Sequence, residues 1–369
     1  MTHKKITYDQ VGDNYSTKDP IKKLAQTAAG QTGKNLRAHG FEEVADSRGE
    51  SAYVWKQGTV HMASVIEGLG TKNLVADSHA AVITGHTFYD VIGHDTVATI
   101  INDLTTVGAT PLVVHAYWAV EDNSWLQNQQ RMQDLIDGWK HACDLSGASW
   151  GGGETPTMKG VMREGTCELG GSAVGIITND SHLLLDTKLQ ELDRIILLRS
   201  NGVNANGLSL ARAIAAKLPD GYATTLPDGT SYGDSLLTKT NIYAPLLAAL
   251  QKAGINIHYI SNITGHGLRK IMRAKGDFTY TIEQLFAPQP VFTFMQQMAG
   301  LSDEEAYATW NMGQDYALFL PANDVPKTLE IITTRGFEGI DAGYIKKGEK
   351  KVALLPKHIV YTEESLNLR

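Results

Sequence analysis

The segment 94-HDTVATIINDLTTVG-108 has apolar residues at helical spacing and two polar residues in its middle. The apolar residues, which recur every three or four positions, are Val97, Ile100, Ile101, Leu104 and Val107. This spacing predicts an amphipathic α-helix over residues 94–108. Asn102 and Asp103 interrupt that helix where burial without a partner is costly, so we expect a metal ion or a substrate donor beside them.

Asp95 lies at the predicted start of this helix, eight residues before Asp103. An aspartate at a helix start is usually an N-cap, which is the simplest interpretation of Asp95. The two acids and Asn102 together also suit a site for a metal ion or a polar substrate. Both interpretations stay open at this point.

Predicted strands and helices alternate on both sides of this segment. In the first half, after a predicted helix over Asp19–Ala29, they are the strand 59–66, the strand 112–119, the helix 126–146 and the strand 169–177. In the second half they are the strand 194–200, the helices 208–218, 235–254 and 323–335, and the strand 351–356. This order predicts two α/β (α+β) layers of similar size, which we assign to domains 1–178 and 179–369.

The composition excludes several classes of function. The 369 residues are 42% hydrophobic and carry a net charge of −7 without a Lys/Arg-rich block, so nucleic acid and membrane surfaces are not expected partners. The two cysteines, Cys143 and Cys167, form neither a disulfide framework nor a zinc motif. Residues 1–16 lack the apolar run of a signal peptide, and we therefore expect a cytoplasmic protein.

The loop 66-IEGLGTK-72 follows the first predicted strand and combines an acid with phosphate-binding chemistry. Glu67 can hold Mg²⁺, while the backbone from Gly68 to Lys72 and the Lys72 ammonium can contact phosphates. The loop is not a Walker A motif, because the chain contains no GxxxxGK[ST]. A tight turn with a solvated lysine is the alternative.

The run 149-SWGGGETPTMKG-160 places three glycines directly before Glu154 and Thr155. Such a run is expected to be neither a regular helix nor a regular strand. A bare backbone beside a carboxylate and a hydroxyl suits close approach of a ligand. A sharp structural turn is the alternative, although glutamate is a poor turn residue.

Two short loops of the second half carry further polar residues. The loop 202-GVNANG-207 contains Asn204 and Asn206, and the loop 263-ITGHG-267 contains Thr264 and His266. A lone histidine such as His266 is more often structural than catalytic. The first of these loops nevertheless follows the predicted strand 194–200, and binding residues are frequently placed on such loops.

These loops, taken in order, resemble the phosphoribosylformylglycinamidine cyclo-ligase family from about residue 60 to about residue 320. Each match is weak by itself, and the specificity lies in seven matches in the family's order. The matching segments are 66-IEGLGTK-72, 93-GHDTVATIIND-103 with 108-GATPL-112, 152-GGETPTMK-159, 205-ANGLSLAR-212, 236-LLTKTNIY-243, 262-NITGHG-267 and 310-WNMGQD-315. Related ATP-dependent enzymes of this superfamily include thiamine-monophosphate kinase, selenophosphate synthetase and a hydrogenase-maturation protein.

The resemblance implies a fold, a reaction and a set of site residues. The implied fold has two α/β halves, with N-terminal strands joining a partner in the barrel of a homodimer and a C-terminal α/β sandwich. The implied reaction closes the imidazole ring of aminoimidazole ribonucleotide, using ATP and Mg²⁺ on a phosphorylated small molecule of purine biosynthesis. The residues implied by position are Glu67, Asp95 and Asp103 for the metal; Gly68, Gly70, Thr71, Lys72, Asn102, Gly152, Gly153 and Thr155 for the nucleotide; and Lys72, Glu154, Asn204 and His266 for catalysis.

The sequence also departs from the family pattern, mostly on the substrate side. Glu67 replaces an aspartate, Asn204 replaces a histidine, and Ala116 stands where the family has an aspartate. His266 and Asp315 place side chains where the family pattern has small residues. A paralogue that uses the same ATP chemistry on another small substrate, or a non-catalytic subunit with this fold, is therefore the alternative.

Overall fold

The structure is a computed structural model that describes residues 15–83 and 85–366, with side chains from residue 20. Most of the segment predicted to lack a signal peptide therefore lies outside the described residues. The helices are α1 Tyr15–Gly30, α2 Lys34–Arg37, α3 Lys72–Ala80, α4 Tyr89–Thr105, α5 Gln129–Ser146, α6 Leu208–Ala215, α7 Tyr232–Leu236, α8 Ala244–Lys252, α9 Pro290–Ala299, α10 Asp303–Tyr307 and α11 Val325–Thr334. The strands are β1 Glu42–Glu43, β2 Tyr53–Gln57, β3 Val60–Gly68, β4 Thr110–Val120, β5 Ser149–Glu154, β6 Cys167–Ile177, β7 Arg194–Arg199, β8 Tyr259–Asn262, β9 Phe278–Ile282, β10 Gln314–Leu320, β11 Gly339–Lys347, β12 Lys351–Leu354 and β13 Ile359–Thr362.

The first half is a six-stranded sheet with the order β1-β2-β3-β6-β4-β5. Its strands pair antiparallel except β4 and β5, which are parallel. Helix α4 packs across β3 and β6, and α5 packs on α4. Fifteen of the seventeen α4 residues are buried, because the helix lies between the sheet and α5.

Helix α4 begins at Tyr89, five residues before the predicted start at His94. Gly93 lies inside the helix, where a Cβ would be 2.4 Å from the Leu135 carbonyl oxygen of α5. Gly138 of α5 is equally constrained, since its Cβ would be 2.1 Å from the Asp90 carbonyl oxygen. The two glycines therefore permit a close helix crossing, and Asp95 is a mid-helix residue instead of an N-cap.

The second half is a seven-stranded sheet with the order β13-β12-β9-β11-β7-β10-β8. Its pairs are antiparallel except β12 and β9. All seven residues of β10 are buried, as expected for a strand with neighbours on both sides and covered faces. The prediction of two mixed α/β halves is confirmed.

The predicted helix over residues 235–254 is wrong, because the chain forms α7 and α8 with an extended segment between them. Polar side chains of α4 bind the backbone of that segment. The Thr240 N–H donates to Asp95 at 2.9 Å, the Tyr243 N–H donates to Asn102 at 3.0 Å, and Asn102 Nδ2 donates to the Asn241 carbonyl at 2.7 Å. These bonds replace the helical hydrogen bonds of the segment.

Residues 149–154 form the edge strand β5, so the expectation that this run is not a regular strand is wrong. The glycines permit tight pairing with β4: a Cβ at Gly153 would be 2.2 Å from the Ala116 carbonyl oxygen. The register shifts between Val114 and Ala116, and Gly152 has a φ of 99°. The glycine run therefore serves close strand pairing at the edge of the sheet.

Candidate active site

A pocket of about 290 Å³ lies between the two halves of the chain. The carboxyl end of β3, the middle of α4, the loop after β7 and the loop after β8 all reach it. Its lining residues are Lys22, Glu50, Ser51, Glu67, Gly68, Thr99, Asp103, Ala205, Asn206, Thr264, Gly265, His266, Lys270 and Arg273. The pocket therefore combines carboxylates from the first half with cations mainly from the second.

Glu67 and Asp103 form a close acidic pair at this pocket. Burial and the adjacent Asp103 carboxylate raise the pKa of Glu67 to about 7. Asn262 Nδ2 donates a hydrogen bond of 2.7 Å to Asp103 Oδ1 and holds that side chain in place. A bound cation would relieve the unfavourable effect of the Asp103 carboxylate on the ionisation of Glu67.

Lys270 supplies a buried ammonium group at the same pocket. Its side chain is hydrogen-bonded to the Thr264 hydroxyl, and its residue is 8% exposed. Burial lowers the pKa of Lys270 to about 8, against the opposing effect of Asp103. Sequence reasoning missed this residue, although 268-LRKIMR-273 carries cations in an otherwise apolar segment directly after the TGHG loop.

Lys72 and Asp95 lie outside this pocket and pair with each other. Lys72 Nζ is 2.5 Å from Asp95 Oδ2, and both side chains are completely buried. Lys72 also donates to the Thr238 carbonyl at 3.0 Å, and the Thr240 hydroxyl donates to Asp95 at 2.9 Å. The pair therefore connects α3, α4 and the extended segment before α8.

The three acids predicted to bind a metal are not brought together. Among the residues that the structure describes, no group of three or more His, Cys, Asp or Glu side chains is placed to hold a metal ion. Asp95 is neutralised by Lys72, whereas Glu67 and Asp103 meet at the pocket. A pair of carboxylates still suits Mg²⁺, which usually takes one or two protein carboxylates together with phosphates and water.

The other predicted nucleotide residues of the first half occupy different environments. Gly68 lines the pocket, and Gly70 turns the chain with a φ of 74°. The Thr71 hydroxyl lies 3.5 Å from the Ser209 hydroxyl, which brings the starts of α3 and α6 together. Asn102 uses its amide to hold the segment before α8, as described above.

The predicted residues of β5 lie across the sheet from the pocket. Glu67 pairs with Gly171, Gly171 with Ala116, and Ala116 with Gly153, so all four share one row. Three strand spacings separate the ends of this row, which corresponds to about 14 Å. Gly152, Gly153, Glu154 and Thr155 are exposed and are not part of the pocket lining within one chain.

Asn204 and Asp315, two departures from the family pattern, contact each other. Asn204 Nδ2 donates to Asp315 Oδ1 at 2.6 Å, and the Tyr243 hydroxyl donates to Asp315 Oδ2 at 2.7 Å. Asn204 is buried and has a left-handed φ of 60°, which asparagine tolerates better than most residues. Complete burial raises the pKa of Asp315 to about 7. The network therefore lies beneath the loop that carries Ala205 and Asn206 to the pocket.

His266 lies at the pocket with a left-handed φ of 72°. Burial, followed by the nearby charges of Lys270 and Arg269, lowers the pKa of His266 to about 3. The imidazole is therefore neutral at physiological pH. It can donate or accept a hydrogen bond, but it cannot act as a resting cation.

Comparison with family models explains this arrangement of two halves around one pocket. Residues 49–177 match the N-terminal domain of AIR synthase related protein, and residues 191–355 match its C-terminal domain. The chain belongs to the AIR synthase related protein family. The first match contains β2 to β6 and the second contains β7 to β12, and the family predicted from the loop motifs is confirmed.

Curated relatives from this family are named phosphoribosylformylglycinamidine cyclo-ligase. The protein of Clostridium botulinum (strain Okra / Type B1) is 32% identical over 298 residues, covering 80% of this chain and 84% of that protein. The protein of Rippkaea orientalis is 31% identical, covering 81% and 85% respectively. A protein of Methanococcus maripaludis (strain C5) is 28% identical, covering 95% and 94%. These ligases confirm the prediction of an enzyme.

Several solved structures share the fold of this chain. The structure titled HypE-HypF complex superimposes with a TM-score of 0.58 at 14% identity, covering 85% of this chain and 92% of that chain. Thiamine-monophosphate kinase from Stenotrophomonas maltophilia gives 0.56 at 15% identity, covering 88% and 96%. A hydrogenase maturation protein HypE in complex with ATP gives 0.56 at 14%, covering 85% and 88%. At these identities the likeness establishes the fold alone.

In the part of the chain that the structure describes, no helix has both the length and the apolar composition required to cross a bilayer.

Proposed function

We propose that this protein is a cyclo-ligase that converts formylglycinamidine ribonucleotide to aminoimidazole ribonucleotide and releases ADP and phosphate. The observation that carries the proposal is the pocket in which Glu67 and Asp103 face Lys270 and Arg273. Opposed acids and cations suit a magnesium-bound triphosphate beside a phosphorylated substrate. Relatives that are 31% and 32% identical bear the cyclo-ligase name, which supports the same reaction.

In the proposed nucleotide site, Glu67 and Asp103 hold Mg²⁺ and the loop Gly68–Thr71 approaches the phosphates. A bound Mg²⁺ neutralises phosphate charge during transfer, which is the main requirement of this chemistry. Lys72 and Asp95 support this loop from within the core.

In the proposed reaction, the formyl amide oxygen takes the γ-phosphoryl group of ATP. An amidine nitrogen then attacks the formyl carbon that carries the phosphorylated oxygen. That oxygen leaves as part of phosphate, and the five-membered ring closes. His266 is positioned at the pocket as a neutral hydrogen-bonding group. Asn204 supports the adjacent loop through Asp315, which assigns it a positioning role.

We also propose a cytoplasmic homodimer, with domains over residues 1–178 and 179–369. The open face of the first sheet carries exposed apolar side chains, among them Ile66 at 79%, Leu112 at 40% and Tyr117 at 41%. Burial of such a patch against a second copy is favourable. In that dimer, the exposed residues Gly152–Thr155 at the end of β5 of one chain are available to the pocket of the other.

An enzyme with the same ATP chemistry and a different phosphorylated substrate is the second candidate. The Asn204–Asp315 contact favours it, because both residues depart from the cyclo-ligase pattern and meet beneath the substrate side of the pocket. A non-catalytic subunit is the third, and the retained acids Glu67 and Asp103 argue against it.

A substrate-dependent ADP assay separates these candidates. Purified protein with Mg-ATP is expected to form ADP when formylglycinamidine ribonucleotide is added, and to form aminoimidazole ribonucleotide in equal amount. Tight ATP binding without ADP formation contradicts the cyclo-ligase proposal, and a panel of phosphorylated amides then tests the second candidate. Absence of any ATP binding favours the non-catalytic subunit.

A further inference from the structure

The proposed reaction requires a cation that can reach a phosphate, and the lysine predicted for this task is already paired in the core. Lys72 is completely buried and is committed to Asp95 and to the Thr238 carbonyl. Moving it to a ligand would leave the buried Asp95 carboxylate without its ion-pair partner, which is costly. Another basic residue must therefore supply the positive charge.

Among the basic residues lining the pocket, Lys270 combines a backbone that is held in place with an ammonium group that has donors left for a ligand. The described residues provide one hydrogen-bond acceptor for its Nζ, the Thr264 hydroxyl, whereas an ammonium group has three donors. The Ser261 hydroxyl donates to the Lys270 carbonyl at 2.7 Å and holds its backbone. Lys22, in contrast, is exposed on α1.

Arg273 also lines the pocket, but each of its three guanidinium nitrogens already donates to the segment 49–51. Nη2 donates to the Gly49 carbonyl and Nη1 donates to the Ser51 hydroxyl, each at 2.8 Å. Nε lies 3.8 Å from the Glu50 carboxylate. Arg273 therefore fixes the segment 49–51 at the rim of the pocket, whereas the described residues leave the Lys270 ammonium two of its three donors for a ligand.

We propose that Lys270 is a catalytic residue that binds the phosphoryl group during its transfer from ATP to the substrate. This assignment rests on the proposed function and deepens it. In the step, the bond between the γ-phosphorus and the β,γ-bridging oxygen breaks, and its electron pair stays on ADP. The new bond joins phosphorus to the substrate oxygen. Lys270 keeps its proton throughout and neutralises the oxygens of the transferred group, and a Mg²⁺ ion held by Glu67 and Asp103 would supply further neutralisation.

The test compares Lys270→Met with Lys270→Arg and with the control Lys275→Met. Lys275 lies on the same connection between β8 and β9 as Lys270, but outside the pocket lining. Its side chain is 48% exposed and forms a surface pair with Asp46. The affinity for a non-hydrolysable ATP analogue, adenylyl imidodiphosphate, and the affinity for ADP are measured by titration calorimetry with Mg²⁺. Thermal unfolding of each variant is recorded in parallel.

Lys270→Met is expected to weaken the analogue by about 10- to 100-fold while ADP binding changes much less, because a charged hydrogen bond to the γ-phosphate is lost. Lys270→Arg is expected to retain part of the preference for the triphosphate. The kcat of ADP formation is expected to fall by about 100-fold or more in Lys270→Met. Lys275→Met is expected to match the wild type in both affinities, in kcat and in thermal unfolding.

Two results with Lys270→Met overturn the assignment. One is an unchanged preference for the analogue over ADP in Lys270→Met. The other is an equal loss of both affinities together with a lower melting temperature, which identifies a structural role beside Glu67 and Asp103. Wild-type protein that binds the analogue but forms no ADP with formylglycinamidine ribonucleotide contradicts the proposed substrate, while the binding comparison still decides the role of Lys270. Wild-type protein that binds neither nucleotide contradicts both proposals.

Discussion

Lys72 at the start of α3 and Asp95 in the middle of α4 form a completely buried ion pair, with Nζ 2.5 Å from Oδ2. Asp95 also accepts hydrogen bonds from the backbone N–H and the hydroxyl of Thr240, which belongs to the second half of the chain. One carboxylate therefore satisfies a lysine and fixes a segment more than 140 residues away in sequence. The pair is a junction between the two halves.

Removing Lys72 is expected to destabilise the protein strongly. Lys72→Met leaves Asp95 as a buried carboxylate without its cation, which costs about 3–5 kcal/mol of unfolding free energy. Urea unfolding measures the difference. The control is Lys239→Met, whose pair with Asp90 is 40% and 48% exposed, and it is expected to cost less than about 1 kcal/mol. Equal stability of Lys72→Met and the control would contradict the structural role.

Asp315 is expected to make the stability depend on pH. Its pKa is raised from 3.8 to about 7, chiefly by burial, so between these values the folded state binds more protons than the unfolded state. This group therefore stabilises the fold fully below pH 3.8, and its contribution is lost as pH rises towards 7. The slope is at most about 1.4 kcal/mol per pH unit.

Asp315→Asn is expected to remove that slope in unfolding curves measured between pH 4 and pH 8. Tyr243→Phe removes a hydrogen bond that lowers the pKa of Asp315, so its slope is expected to extend to higher pH. Asp315→Asn protein with the same pH dependence as the wild type would show that another group is responsible.

Glu67 is expected to link nucleotide binding to both Mg²⁺ and pH. Its pKa is raised to about 7 by burial and by Asp103, and a proton on Glu67 competes with a cation. Binding of adenylyl imidodiphosphate with Mg²⁺ is therefore expected to weaken as pH falls through 7. Glu67→Gln is expected to weaken it at pH 8 by about tenfold or more, through loss of a charged ligand.

Titration calorimetry with and without Mg²⁺ checks this prediction. Glu168→Gln is the matched control, because Glu168 is an exposed residue of β6 outside the pocket lining. A Glu67→Gln variant that retains the full Mg²⁺ enhancement would exclude Glu67 as a ligand.

Ile66 is expected to contribute to the proposed dimer. Its side chain is 79% exposed on the open face of the first sheet. Burying a charged side chain there against a second copy would cost free energy. Ile66→Asp is expected to shift the protein from dimer to monomer in sedimentation velocity. Val360→Asp, at a 53% exposed position on the other sheet, is expected to keep the wild-type mass. A monomeric wild-type protein would refute the dimer.

The order of strands and helices was largely readable from the sequence, since local apolar spacing defines each element. The strand predicted over 59–66 corresponds to β3, and the strand predicted over 169–177 lies within β6. The prediction failed over residues 235–254, where Asp95 and Asn102 hold the backbone in an extended form. Such long-range hydrogen bonds override local helical preference, and no local sequence pattern predicts them.

The candidate site was also predictable in part, because local sequence motifs identify some of its loops. Loop motifs led to Glu67, Asp103 and His266, all of which line one pocket. They did not distinguish the buried structural pair Lys72–Asp95 from ligand-binding residues, and they gave no weight to Lys270. Residue type and spacing identify groups capable of chemistry, but burial and partners decide which of them are available.

The sequence by itself determined the family, the two α/β halves and the supply of acids and cations near glycine-containing loops. Only the tertiary structure decided which charges neutralise each other: Lys72 with Asp95 in the core, and Lys270 opposite Glu67 and Asp103 at the pocket. The physical reason is that electrostatic pairing depends on distance and burial in three dimensions. Several residues far apart in sequence could pair with the same charged group. The packing of α4 between the sheet and α5 determines which of them come into contact.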